Sequence, residues 1–301
     1  MRRGIVLGVV ITVGALSMAA VGDQGQGQQG PKVVEVQKVK DNLFMLGGGG
    51  GNTAVFVAAN GVIVVDTKNP GWGQPILDKI KTLTDKPVTM IINTHTHGDH
   101  VSGNVEFPAT VDIVAQENSK INMSKTTGPR DERVDIFKGD NAKFLPKKTF
   151  KDKMSLGGGK DRIDLYYFGR GHTNGDAWVV FPALGVVDAA DMFSGKNPPR
   201  LDPINGGSGV EYAQTLAKAV AGIKNVDTVI TGHSTVLTWN DLKEYIDYNR
   251  DLVTAIREAM KAGKSVDDAA AEYKFPAKYP GYTNRYPLKD YVQALYDELK
   301  K

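Results

Sequence analysis

The stretch "IINTHTHGDH" (91–100) constrains this chain more than any other part of its sequence. "PVTMIIN" (87–93) reads as a buried strand, and it runs straight into three of the chain's five histidines. His95 and His97 stand two apart at that strand end, so both side chains project from one face. Gly98 has no Cβ and lets the chain turn sharply, which returns Asp99 and His100 to the same place. Four metal-capable side chains gather there. Neutral imidazole and carboxylate suit zinc, and also iron or manganese.

The other two histidines follow the same rule. His172 stands in "GRGHTNGD" and His233 in "ITGHST", each next to glycine and directly after a strand. All five are thus expected at strand ends in loops, a placement that favours one shared metal site over histidines packed in a core.

The surrounding pattern reads as α/β layering. Strands are expected at 33–39, 43–46, 53–59, 62–67, 87–93 and 111–116, with Asn60-Gly61 as a hairpin turn. A helix is expected over 74–85, with Ile76, Ile80 and Leu83 on one face. Residues 124–150 are polar and Lys-rich and read as a surface excursion. Strands follow at 162–169, 177–182, 185–190 and 226–232. Ser208 with Glu211 opens a helix whose Val210, Leu216, Ala217, Val220 and Ile223 should face inward. Thr238 with Asp241 opens a long helix, and a last one occupies 287–300. The five glycines of 47–51 lack the Lys-Ser/Thr of a phosphate loop and read as a mobile hairpin tip.

The N-terminus has a different character. Arg2 and Arg3 precede an apolar run from Gly4 to Val21, followed by small residues, which is the order of a secretory signal cut after Gly22. Residues 23–31, "DQGQGQQGP", read as a flexible linker to a domain over 32–301. The expected location is periplasmic or secreted, with no stable membrane insertion once the signal is removed. The chain has no cysteine, which excludes disulfides and a lipid-modified N-terminus. A net charge of +3, with no basic stripe, argues against a nucleic-acid partner.

The motif His95-Thr96-His97-Gly98-Asp99-His100, with His172, the "VVDAADMF" segment and His233, resembles the metallo-β-lactamase superfamily across nearly the whole mature chain. The resemblance implies an α/β fold, an αββα sandwich with the metal site at the edge between two mixed sheets. It implies that His95, His97 and His172 hold one metal, that Asp99, His100 and His233 hold a second, and that Asp191 bridges them, with Asp188 as the competing choice. Asp66 matches a family position that accepts the outer N–H of a histidine ligand.

The same resemblance implies hydrolysis of a small molecule by a metal-bridging hydroxide, with two zinc ions per chain and Asp99 orienting the nucleophile. Two classes of true metallo-β-lactamase carry a cysteine ligand, which is missing here. The third is all-histidine but typically has serine where Asp191 stands. Aspartate there looks more like lactonases, thioesterases of the glyoxalase II group and exported hydrolases, so esters, lactones, thioesters and lactams are the expected substrate types. Persulfide dioxygenases with a single iron are the alternative from another reaction class, and a non-catalytic periplasmic metal binder is a third. Lys196, Arg200 and the tyrosines of 278–287 are candidate cleft residues read mainly as surface loop.

Overall fold

Apolar residues that alternate along each strand set up two sheets, each covered on both faces. In "AVFVA" (54–58), Ala54, Phe56 and Ala58 turn to one layer of the core while Val55 and Val57 turn to another. Met90 and Ile92 separate from Ile91 in the same way, as Val179 and Phe181 do from Trp178 and Val180. A strand apolar on both sides must be buried on both sides.

The computed structural model describes residues 32–125 and 136–301. The expected signal (1–22), the linker (23–31) and residues 126–135 of the surface excursion lie outside them. The first sheet runs in chain order through β1 (Glu35–Lys40), β2 (Leu43–Gly47), β3 (Thr53–Ala58), β4 (Gly61–Val65), β5 (Val88–Asn93), β6 (Asp112–Gln116) and β7 (Lys148–Phe150). Its β1–β4 half is antiparallel and its β4–β7 half parallel. The second sheet contains β8 (Lys153–Leu156), β9 (Ile163–Tyr166), β10 (Trp178–Phe181), β11 (Val186–Ala190), β12 (Thr228–Thr231) and β13 (Leu237–Thr238), ordered β13-β12-β11-β10-β9-β8. Only its β11–β12 pair is parallel.

Leu43, Phe56, Ile92, Val114, Leu165, Val179, Phe181 and Ile230 fill the space between the sheets. The outer face of the first sheet packs Ile76 and Ile80 of α1 (Gly73–Lys81) and Met123 of α3 (Glu117–Ser124). Each such buried aliphatic stabilises by about 1.5–3 kcal/mol. The outer face of the second sheet packs against α4 (Gly209–Gly222), α5 (Trp239–Lys261) and α7 (Leu288–Leu299), with α6 (Val266–Glu272) beside them. The layers are therefore αββα, as expected.

Several details differ from the sequence reading. β7 and a 3₁₀ turn at Gly139–Phe144 extend the first sheet where a plain surface excursion was expected. His100 lies inside the one-turn helix α2 (Gly98–Val101) and not in a loop. In α4, Val210 is exposed, while Tyr212, Thr215, Leu216 and Ala219 are buried. Leu216 and Ile223 face inward as expected, with Ala217 and Val220 packed partly buried against the core, and Tyr212 and Thr215 join that face through hydrogen bonds to the Asp191 and Arg170 carbonyls, which a purely apolar count misses. Among the described residues no helix is long and apolar enough to cross a membrane.

Candidate metal centre

All the parallel strands that matter end at the same edge. β4 leads into Asp66, β5 leads to His95 and His97, β11 ends beside Asp191 and β12 leads through Gly232 to His233. The carboxyl ends of neighbouring parallel strands form a crevice because the chain leaves each strand in a different direction. Ligand-type side chains from both sheets meet in that crevice. His95, His97, His172 and Asp191 form one group with facing atoms within 4.8 Å, and Asp99, His100 and His233 form another. Asp188 belongs to neither: its carboxylate accepts the Ala190 N–H at 3.0 Å inside the fold.

Hydrogen bonds around the rings decide which nitrogen of each is left over. The Thr94 hydroxyl donates to Asp66 Oδ2 at 2.6 Å, so it accepts from His95 Nδ1 at 3.0 Å. That leaves His95 Nε2 buried with no partner. His100 Nδ1 donates to Asp66 Oδ2 at 2.6 Å, which turns Nε2 inward. His172 Nδ1 donates to the Arg200 carbonyl at 2.6 Å. His97 is reversed: its Nε2 donates to Asp202 Oδ2 at 2.7 Å, leaving Nδ1 for the site.

His97 Nδ1 and His172 Nε2 then face each other at 2.9 Å. Two lone pairs at that distance repel unless a cation or a proton lies between them. Burial, reinforced by neighbouring histidines, pushes the His95 imidazole well down and the His172 imidazole down as well, both towards the neutral form, which disfavours the proton. An orphaned buried nitrogen and facing lone pairs fit a metal site.

Asp191 joins the two groups. Its Oδ1 lies 3.2 Å from His233 Nε2 and 3.4 Å from His100 Nε2, while its Oδ2 lies 3.5 Å from His172 Nε2. Burial alone would push this carboxyl up, but His233 and His100 outweigh it and keep Asp191 well below the usual carboxylate range. Asp99 Oδ2 is 3.3 Å from His233 Nε2, and its side chain retains 20% of its exposure, so it sits at the mouth.

Two glycines permit the close approach. A Cβ on Gly232 would meet Asp191 Oδ1 at 2.0 Å, and one on Gly51 would meet the His100 ring at 2.2 Å. The β3 end of the 47–51 loop is therefore packed against the site at Gly51. Lys68 clamps that loop at both ends. Its buried Nζ donates to the Leu46 carbonyl at 2.8 Å and to the Gly51 carbonyl at 2.6 Å. Burial pushes this lysine down to about 7, against the pull of Asp66 and Asp99.

Sequence reasoning missed Thr94, Lys68, Asp202 and Asn52. Asn52 donates from Nδ2 to the Thr231 and Ser234 carbonyls at 2.8 and 2.7 Å, fixing the turn that carries His233. Asp202 precedes proline in "LDPING" and looks like an ordinary turn residue. It is held well below the usual range because the His97 hydrogen bond outweighs its burial. Nothing local marks Lys68, Asp202 or Asn52, because each acts on a residue distant in sequence, and Thr94, although it is next to His95, takes its role from Asp66 far back in the chain.

The profile described as the metallo-beta-lactamase superfamily matches residues 46–259. The chain belongs to that superfamily and is an enzyme of its metallo-hydrolase kind. It is 27% identical to a metallo-beta-lactamase type 2 of Elizabethkingia meningoseptica over 82% of this chain and 95% of that protein. It is 26% identical to a hydroxyacylglutathione hydrolase of Crocosphaera subtropica, covering 78% of this chain and 80% of the relative. The fold matches the sec-alkylsulfatase Pisa1 from Pseudomonas sp. with a TM-score of 0.71 at 16% identity, over 88% of this chain. The chain spans only half of that protein's length. A metallo-beta-lactamase from Pontibacter korlensis matches with a TM-score of 0.60 at 18% identity, over 72% of this chain and 99% of the other.

Proposed function

We propose that this chain is a two-metal hydrolase, with zinc the favoured ion, that cleaves an ester, lactone, thioester or lactam bond in a small molecule. The observation that carries the reading is Asp191, whose two oxygens face different histidine groups. One carboxylate so placed answers two cations better than one. His95, His97 and His172 would hold the first metal, Asp99, His100 and His233 the second, and Asp191 would span them. When bound, such a pair supplies a water acidic enough to ionise near neutrality and an electrophile for the oxygen that gains charge.

The protein's own residues do the rest. Asp66 and Asp202 keep the ring nitrogens of His100 and His97 aimed inward, which removes the cost of reorienting them. Asp99, the more exposed of the two proposed ligand carboxylates, can hold a proton of the attacking water and release it at the mouth. Gly51 and Gly232 keep bulk out of the centre.

The relatives' names include lactam and thioester hydrolysis, so both classes belong in the first screen. A mono-iron dioxygenase needs only the first group, which would leave Asp99, His100 and His233 converging without a purpose. The reading includes export through residues 1–22, checked by finding a mature N-terminus after Gly22. Elemental analysis of the purified protein, followed by the substrate screen, is the decisive test. Two zinc ions per chain with turnover of one class is the expected result, and one iron per chain with oxygen uptake on a persulfide would overturn it.

A further inference from the structure

Residues 200–208 form no helix or strand, yet they hold both of the rings whose nitrogens face each other at 2.9 Å. The Arg200 carbonyl accepts from His172 Nδ1 at 2.6 Å, and Asp202 Oδ2 accepts from His97 Nε2 at 2.7 Å. A segment with no ladder of its own takes its shape from whatever pairs with it. Here Asp202 N donates to the His172 carbonyl at 2.9 Å, Gly207 N to the Asp202 carbonyl at 2.8 Å and Ser208 N to the Gly171 carbonyl at 2.8 Å. The packing is close, since a Cβ on Gly207 would meet the His172 carbonyl oxygen at 2.3 Å.

The far end of this segment is anchored from the other end of the chain. Ser208 caps α4 by accepting from the Glu211 N–H at 3.0 Å, and its hydroxyl donates to Glu298 Oε1 on α7. Glu298 Oε2 accepts from the Gly209 and Val210 N–H groups at 2.8 and 3.2 Å. Water can satisfy first-turn N–H groups at a surface helix, and Ser208 already caps this one. What the carboxylate adds is a charge-assisted tie from Ser208 to α7, which is itself fixed in the core by Val292 and Leu295. Glu211 acts on the same stretch from the other side. It pairs with Arg170, whose Nε and Nη2 donate to the Gly206 and Gly207 carbonyls at 2.8 and 3.3 Å.

Resting on the two-metal reading above, we infer that Glu298 is a positioning residue for the first metal: by holding Ser208 it fixes residues 200–208, and through Asp202 and the Arg200 carbonyl it sets how His97 and His172 face the ion. The path is short. Ser208 adjoins Gly207, Gly207 bonds Asp202, and Asp202 bonds His97. The second group is aimed by other means, His100 by Asp66 and the His233 turn by Asn52. Loosening Glu298 therefore acts on one metal and spares the other.

The test is chelator competition for zinc on the purified full chain, in two backgrounds that each keep one group: His233→Ala for the first metal and His97→Ala for the second. Glu298→Gln keeps the side chain's length but puts an NH2 where an acceptor is needed. It is expected to weaken zinc about tenfold in the His233→Ala background and to leave it unchanged in the His97→Ala background. Ser208→Ala should weaken the first ion alike, and the pair together no more than either alone, because both act through one bond. Thr238→Ala, a lost cap on α5, controls for stability and should leave zinc affinity at its parental value. First-metal affinity that is unchanged in Glu298→Gln, or lowered only as much as in Thr238→Ala, would make Glu298 a helix cap and overturn the inference. Failure of the hydrolase reading is distinguishable, since it would appear as absent turnover in a parent protein whose zinc binding still depends on Glu298.

Discussion

Asp66 shows how one side chain can organise a centre it does not join. It holds φ at +61°, a left-handed conformation unusual for a side chain with a Cβ, and accepts from the Thr94 N–H, the Thr94 hydroxyl and His100 Nδ1. Strain of this kind persists where the surroundings impose it, and it is concentrated at functional sites. Asp66→Asn tolerates the backbone but loses the charge that fixes both histidine tautomers. It is expected to weaken metal affinity 10- to 100-fold with little change in fold, as read by chelator competition. Unchanged affinity would mean that Asp66 is only a strand-end turn residue. Lys68 makes a second case, with a sign that follows from its burial. Unfolded, it titrates near 10.5, and folded, near 7. Below pH 7 both states are charged and the burial cost is present in full. Between 7 and 10.5 the folded chain has shed the proton while the unfolded chain keeps it, so stability from this residue rises with pH. Lys68→Met removes the donor to two carbonyls, a loss of about 1–3 kcal/mol. The stability gap between parent and variant should therefore widen from pH 6.5 to 9.5 in urea unfolding. A constant gap would show that Lys68 keeps its proton throughout.

Among the elements, α4 and α5 were legible from their capping signals and β3, β4 and β5 from their apolar runs, whereas α6 was not singled out although Ser265 caps it by accepting from the Asp268 N–H. The Thr238–Asp241 capping box is complete, with Asp241 N donating to Thr238 Oγ1 at 3.1 Å and Thr238 N donating back to Asp241 Oδ2 at 2.9 Å. It starts a 23-residue helix. Thr238→Ala should cost about 1 kcal/mol in unfolding experiments and leave metal content at the parental value. A loss of metal would mean that α5 positions the centre more directly than its cap implies. At α4 the box is half made: Ser208 accepts from the Glu211 N–H, but the Glu211 carboxylate pairs with Arg170. The short strands β7, β8 and β13, and α3, left little trace, since two to four residues of strand or one weakly amphipathic helix lie below what periodicity can register. The ligand-type residues were legible for the opposite reason. Histidine is rare in this chain and sits at strand ends, whereas the residues that aim it, such as Asp202 and Asn52, have the composition of common turns.

Across the whole molecule, the candidate centre is also a fastener between the sheets. His95, His97, Asp99 and His100 follow strands of the first sheet, and His172, Asp191 and His233 follow strands of the second. Protein-only links across this edge exist, among them Asn52 to Thr231 and Ser234, and Ala177 N to the Thr94 carbonyl at 2.7 Å. These are neutral hydrogen bonds, each contributing about 1 kcal/mol net, the His97–Asp202 bond at the same edge is charge-assisted, and without cysteine no disulfide reinforces them. A metal bound by both sheets would add far more. At a free concentration 1,000 times its dissociation constant, a ligand specific for the folded state contributes about 4 kcal/mol. For a domain of this size that corresponds to a melting shift on the order of 10 °C. Chelator treatment is therefore expected to lower Tm by about that much while the far-ultraviolet circular dichroism at 20 °C stays unchanged, because the three apolar layers are complete without the ion. In His233→Ala the same treatment should produce a smaller drop, since the first group of ligands is left intact. A melting curve indifferent to chelator in the parent protein would mean that the two sheets are not joined by metal, and that the facing nitrogens of His97 and His172 share a proton instead.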